Sequence, residues 1–476
     1  MNIIQKPKYR LVPAYSEIVF SVEDTVIIST KANVKYIAEV SISNETITAS
    51  DLIGTFKVTP NNAGVGIFDF SKVVESYVSS DNLGGIVGSA NPSNASSFKG
   101  TLFTDETPHS IHTIDKFATN KNSVRFLEIT FKIQYSDSVG STVSVDPTIS
   151  ATSDVFYIYN GTLQEEDIIA LDSSGNYGYN LDANNYIANG GSAKFLTNCP
   201  TTIEIGTNDY HTLAFFNNYD EDFVIGGGSA STPKINDFTF RFYGELDAGG
   251  GQIGSKFVSN TPTNGGSGTT HNNSNSKMIF VGCGPANLAP YHTMPSGTKS
   301  YKVAVRDDSN SNITQNYIFN LTEDDCKGFE KIRLTWLNRL GAWDYYSFTK
   351  RNVRTVETQR TSYKQISGTW NERKYKVHGF KGGQKTFRTR SKERLVLNSN
   401  FVTESECTWL EELFTSPEVY ILNEFSTDGS EGYINKYVQP VTVTSSTYTK
   451  QTRANDNLLQ YTIEIERSKN RVIQNA

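Results

Sequence analysis

The sequence predicts a mainly β protein of several domains with one substantial helix, and three observations carry that prediction. Phe and Tyr number 27 and 25 beside 36 Gly and only 3 Met, a balance of aromatic strands and frequent turns. Apolar and polar residues alternate at a period of two, as in Leu127, Ile129, Phe131 and Ile133 against Glu128, Thr130 and Lys132. At 476 residues the chain exceeds a single ordinary core, so two or three domains are expected.

Residues 1–160 read as an N-terminal β-sandwich. Strands are expected over 17–22, 25–29, 36–43, 55–58, 66–70 and 125–135, with a short helix over 71–79 in which Ser71 caps and Val73, Val74, Tyr77 and Val78 share a face. Residues 161–300 read as a loop-rich middle β domain, broken by Gly pairs and triplets and by the polar tract 260–276. Its clearest strands are 210–217 and 237–246, where Phe238, Phe240 and Phe242 alternate with polar residues or Tyr.

Residues 301–476 read as a C-terminal split β-barrel with a helix at 403–415. Strands at 331–337 and 343–349 flank a turn at 338–341, as in a hairpin. From Thr403 the period changes: Thr403 with Glu406 makes a capping box, Trp409, Leu410, Leu413 and Phe414 form an apolar face, and Ser416-Pro417 stops the helix. Strands at 419–423, 438–445 and 459–467 then complete the barrel.

No stretch reaches the roughly 18–20 apolar residues of a membrane helix, and the N-terminus carries no apolar leader, so neither membrane insertion nor secretion by that route is expected. The 4 cysteines, Cys199, Cys283, Cys326 and Cys407, form no C-x-x-C pair and are read as reduced and buried. Gly282-Cys283-Gly284-Pro285 lacks the third glycine of a dinucleotide fingerprint and is read as a turn before a loop; Gly382-Gly383 is read as a hairpin turn. His109 and His112 lack a third metal ligand, Asp308, Asn310 and Asn312 start a calcium loop that fails at Ile313 and Phe319, and Asp220-Glu221-Asp222 reads as a solvated turn. Neither a G-x-S-x-G elbow nor H-E-x-x-H occurs. The expectation is therefore a protein without enzymatic activity, cofactor or metal.

Charge is unevenly placed. Residues 327–394 hold 18 Lys/Arg against 5 Asp/Glu, or +13, which leaves −19 on the remainder of a chain whose total is −6. Within that segment Arg388, Arg390, Lys392 and Arg394 recur at every second position, so on a strand they share one face about 6.6 Å apart, with Phe387 and Leu395 on the other. Four like charges in a row are best tolerated beside an anion. An acidic surface on a neighbouring copy is the expected partner, with DNA in a channel or a plain solvated face as the alternatives.

Several phrases resemble structural proteins of tailed bacteriophages, especially phages of marine and Bacteroidetes hosts. They are Glu330-Lys331-Ile332-Arg333-Leu334, Trp336-Leu337-Asn338-Arg339-Leu340-Gly341, 357–363, Leu397-Asn398-Ser399, 404–419 and Tyr461-Thr462-Ile463-Glu464, joined upstream by 55–77, 159–163 and 284–288. The resemblance implies a virion tail, baseplate or neck component, made in the host cytoplasm, whose partners are copies of itself and other tail proteins. The alternative from another class is a glycan-binding adhesin or tailspike, for which the 12% aromatic content supplies stacking platforms.

Overall fold

The computed structural model describes residues 1–7, 10–43, 47–79, 123–162, 164, 170–171, 177–178, 186, 191, 193–216, 235–259, 278–289, 292–307, 309–322, 329–370, 373–422, 438–445, 459–468 and 471–472. The chain is mainly β, 53% strand and 12% helical, in several sheets. It divides into two compact units, Met1–Glu323 with Leu337–Asp344, and Asp324–Trp336 with Tyr345–Ala476.

The first unit begins with β1 (Asn2–Gln5), β2 (Leu11–Pro13), β3 (Val19–Glu23), β4 (Ala32–Ser43), β5 (Leu52–Val58), β6 (Val65–Asp69), β7 (Val124–Ser136), β8 (Ser144–Thr152) and β9 (Phe156–Tyr159). Strands β1-β3-β6 form one sheet and β2-β9-β7-β4-β5, with β8 also on β7, another. The two contribute to one core, where Phe20 and Phe68 meet Ala38, Val40, Leu127, Ile129, Phe131, Ile133 and Phe156. The Phe20 ring stands edge-on to Phe156 with centroids 5.4 Å apart, the geometry the aromatic quadrupole favours. Alternation along β7 places Leu127, Ile129, Phe131 and Ile133 inside, as its period requires.

Residues 25–29, expected as a strand, are instead a helix, α1 (Thr25–Thr30). The Asp24 side chain accepts the Ile27 N–H, an N-cap that outweighs the strand preference of the run Val26-Ile27-Ile28. The helix at 71–79 is shorter than expected: α2 (Ser71–Val74) continues only as a 3₁₀ turn at Glu75–Tyr77, and Ser71 is its first residue, not its cap.

Further along lie β10 (Ala170–Leu171), β11 (Tyr177–Gly178), β12 (Thr202–Gly206), β13 (Thr212–Phe216), β14 (Ile235–Tyr243), β15 (Gln252–Ser259), β16 (Met278–Gly282), β17 (Ser300–Asp307) and β18 (Tyr317–Thr322). Strands β12-β18-β17-β14-β15 form one sheet, so the domain boundary expected at residue 301 falls inside it. Phe238, Phe240 and Phe242 point together into its core with Tyr301, Val303, Tyr317 and Phe319. Gly282-Cys283-Gly284 leads not into a loop but into α3 (Pro285–Leu288), a single turn with Pro at its first position. The segment Leu337–Asp344 belongs to this unit: Asn338 Oδ1 accepts the N–H groups of Leu340 and Ala342, its Nδ2 donates to Leu196 O, and Gly341 has φ +83°.

The second unit contains β19 (Ile332–Leu337) as far as Trp336, β20 (Trp343–Phe348) from Tyr345 on, β21 (Val353–Gln365), β22 (Gly383–Asn398), β23 (Val419–Leu422), β24 (Val438–Val443), β25 (Thr462–Arg467) and β26 (Arg471–Val472). They form one sheet, β20-β19-β23-β24-β25-β22-β21, with β26 also on β22. Among the described residues this sheet is open, which corrects the expectation of a barrel. Closure would require β21 to be covered, yet its sequence VRTVETQRTSYKQ has no buried face and all but its last residue are exposed.

The expected helix is α4 (Glu404–Thr415), the longest among the described residues, with the capping box between Thr403 and Glu406 intact. Cys407, Trp409, Leu410 and Leu413 are buried, and Trp409 lies 5.3 Å from Trp336 between ring centroids. Cys199, Cys283 and Cys407 are buried. His109, His112, Cys326, Asp308 and Asp220-Glu221-Asp222 lie outside the described residues.

Candidate functional site

Strands β21 and β22 pair along their whole length, from Val353 with Val396 to Gln365 with Gly383. Strand β25 covers only Arg394–Asn398 of β22, and β26 only Arg390 and Ser391. Residues 359–365 and 383–389 are therefore a two-stranded ribbon among the described residues. Thr361 and Tyr363 on one strand and Thr386, Phe387 and Thr389 on the other are residue types that favour the strand conformation.

The ribbon ends in a structured tip. Gly382 and Gly383, at φ +96° and +78°, turn the chain as only glycine does without strain. Gly368 bridges to Val377, and a Cβ on Gly368 would stand 2.0 Å from the Tyr375 ring, so a side chain here would displace that ring. Thr369 Oγ1 accepts the Lys376 N–H at 3.1 Å. Around this frame stand Ile366, Trp370, Tyr375, Val377 and Phe380, each at least 59% exposed. Trp370 and Tyr375 lie ring against ring at 5.3 Å, and His378 and Phe380 at 5.4 Å.

The cations Arg360, Lys364, Arg373, Lys374 and Lys376 are exposed and make no ion pair among the described residues. Exposed aromatic and aliphatic side chains thus interleave with cations that have no ion-pair partner among the described residues, a composition that recognition surfaces share.

The stripe read from the sequence lies at the base of this ribbon, and its four residues differ in surroundings. Lys392 Nζ reaches Glu466 Oε1 at 2.8 Å, and Arg394 lies 3.4 Å from the other oxygen of Glu466 and 3.7 Å from both Glu464 and Glu357. Their anions thus come from β25 and β21 of the same chain. Arg388 and Arg390 make no ion pair among the described residues; Arg390 is exposed and Arg388 half-buried with its Nε unpartnered. Leu395 is buried as expected, but Phe387 is 49% exposed. A bulge between Thr361 and Ser362 leaves Phe387 outside the register, in the part of β22 that neither β25 nor β26 pairs with.

On the opposite face Glu393 lies 3.0 Å from Arg354 and 3.6 Å from Arg467, at the border of the core residues Leu395 and Ile465. Lys392 is the chief reason that the Glu466 carboxyl is held below the usual glutamate range.

The tip aromatics were the feature that sequence reasoning missed. Aromatics in β-rich sequences are mostly core, and only the interleaving in Trp370, Arg373, Lys374, Tyr375, Lys376 and Phe380, without a period of two, marks these as exposed. Among the described residues no group of three His, Cys, Asp or Glu is gathered as for a metal, and no helix is long and apolar enough to cross a membrane. No protein-family model matches the chain, and no curated protein matches it.

Proposed function

We propose that the protein is a non-enzymatic structural component of a bacteriophage virion tail, a tail-tip, distal-tail, baseplate or neck element, that assembles with copies of itself. The phage assignment rests on the phrases described above, and the N-terminal sheets sharing one core are read as its β-sandwich. The observation that carries the assembly role is the ribbon of β21 and β22 with its exposed, cationic aromatic tip. Isolated two-stranded ribbons are marginal in water, and a charged one exposed on both faces is stabilised by a partner.

Light scattering and negative-stain electron microscopy of the purified chain at physiological salt test this reading, with rings or stacks expected. A chain that stays monomeric at its highest soluble concentration overturns it, and so does cleavage of polysaccharide or peptidoglycan that is lost on mutating a carboxylate pair. The Trp370–Tyr375 ring pair favours a second reading, glycan binding, because two adjacent exposed rings form a stacking platform. Glycan-array binding abolished by Trp370→Ala would replace the structural role with host recognition.

A further inference from the structure

We propose that the tip of the β21–β22 ribbon docks onto the α4 region of a second copy of this chain, so that copies join head to tail. This inference rests on the homo-oligomeric reading above and names the surfaces that make it.

The first surface is cationic and apolar. Residues 353–394 carry 12 Lys/Arg against 3 Asp/Glu, a net +9. At the tip, exposed Arg373, Lys374 and Lys376 interleave in sequence with exposed Trp370, Tyr375, Val377 and Phe380. Large aromatics with nearby cations are the composition of interface hot spots.

The second surface has the opposite charge. Immediately after this segment, residues 395–435 contain 8 Asp/Glu and no Lys or Arg, a net −8. Five of those acids, Glu404, Glu406, Glu411, Glu412 and Glu418, lie on or just beyond α4. Glu404, Ser405, Thr408 and Thr415 are exposed, and beside the helix Phe401 is 65% exposed, an apolar contact for the incoming rings.

Both surfaces belong to the second unit, but the tip side chains are exposed within the chain, so its own α4 does not cover them. A second copy offers the same acids and is present whenever the chain is. Because the tip and α4 are different surfaces, the contact is heterologous, and repetition closes a ring or runs on as a filament. Nucleic acid is the less favoured occupant: exposed Ile366 and Val377 have no π-face on which bases stack, while they suit a protein surface.

The test is a charge swap in the full-length chain. One variant carries Lys374→Glu and Lys376→Glu in the tip, and the other Glu404→Lys and Glu412→Lys on α4. Each alone is expected to weaken self-association roughly tenfold or more, with an unchanged thermal midpoint. An equimolar mixture is expected to recover association, because each reversed tip then faces a reversed α4, and the recovered complex should weaken as salt is raised. Trp370→Ser with Phe380→Ser should abolish association without charge change, and Glu404→Lys alone serves if the α4 pair lowers the midpoint.

A wild-type chain that oligomerises but is indifferent to all these changes overturns the inference and leaves the structural reading standing. Failure of the mixture to recover also overturns it. A wild-type monomer overturns both. Tight binding of a single-stranded or duplex DNA oligonucleotide that is lost with the tip reversal assigns the tip to nucleic acid and overturns it as well.

Discussion

Lys392 and Glu466 lie 74 residues apart in sequence, and the Lys392 Nζ donates to Glu466 Oε1 at 2.8 Å across adjacent strands. The pair sits diagonally in the β22–β25 ladder, where Arg394 is directly opposite Glu466. The carboxylate thus stands between two cations, and its pKa falls below the ordinary value of 4.5, with the Lys392 hydrogen bond as the largest cause. Since the folded-state pKa is the lower one, the pair's stabilisation is present above the unfolded value and is lost as pH falls through the folded one. Glu466→Gln should therefore lower the urea midpoint at pH 7, and the gap to wild type should narrow as the pH falls below about 4. A gap independent of pH would mean that packing, not charge, is lost.

Tyr36 makes a testable claim about the N-terminal core. Its buried hydroxyl accepts the Asp24 N–H at 2.8 Å and donates to Gly64 O at 2.9 Å, tying the cap of α1 to the turn before β6. Tyr36→Phe leaves both backbone groups without that partner and should cost about 1–3 kcal/mol. Gly66→Ala attacks the same ring from the side, since its Cβ would stand 2.4 Å from Tyr36 Cδ2. A destabilisation of about 1–3 kcal/mol is expected there too, read as a shift of the denaturant midpoint. A Gly66→Ala chain as stable as wild type would show that the ring has room to move.

Capping of α4 gives a third prediction. The Thr403 N–H donates to Glu406 Oε2 at 2.7 Å, and Thr403 Oγ1 accepts the Glu406 N–H in return. Thr403→Ala removes the second bond and should cost about 1 kcal/mol, with Thr403→Ser restoring most of it. Unfolding followed by Trp fluorescence reports on this element, because Trp409 is buried on α4.

Legibility followed how local each determinant is. The helix α4 announces its cap and its 3.6-residue period within 13 residues, and the alternation of β7 and of Phe238, Phe240 and Phe242 marks their buried faces. For α1 the sign is there as Asp24, but a helix of six residues shows too few turns for its period to outweigh three β-branched residues. The stripe at Arg388, Arg390, Lys392 and Arg394 was legible as a strand face, whereas its counter-charges were not. Glu464 and Glu466 reach it through strand pairing, which no spacing in the sequence encodes. The openness of the sheet follows from β21, whose residues state that neither face is apolar. Pairing across the loops was not legible for the reverse reason: Gly- and Asn-rich composition marks loops, and β17 pairs with β14 across them regardless.

The stripe itself supplies a final prediction, because two of its arginines share a face and differ in surroundings. Arg390 is exposed and makes no ion pair among the described residues, so reversing it removes no attraction within the chain. Arg390→Glu should change stability by less than about 0.5 kcal/mol, as surface substitutions without a specific partner do. Arg394 lies within 3.7 Å of Glu357, Glu464 and Glu466. Arg394→Glu would set a fourth carboxylate among these three, turning attraction into repulsion, and is expected to cost roughly 1 kcal/mol or more at low salt, less at high salt where exposed charges are screened. Urea unfolding of both variants at two salt concentrations separates the cases. If the two arginines respond alike, the ladder of Lys392, Arg394 and the β25 glutamates does not stabilise the sheet. If only Arg394 responds, then Arg390 and Arg388 remain the members of the stripe whose charge is available to a second molecule, and the effect of Arg390→Glu on self-association measures that availability with the fold held constant.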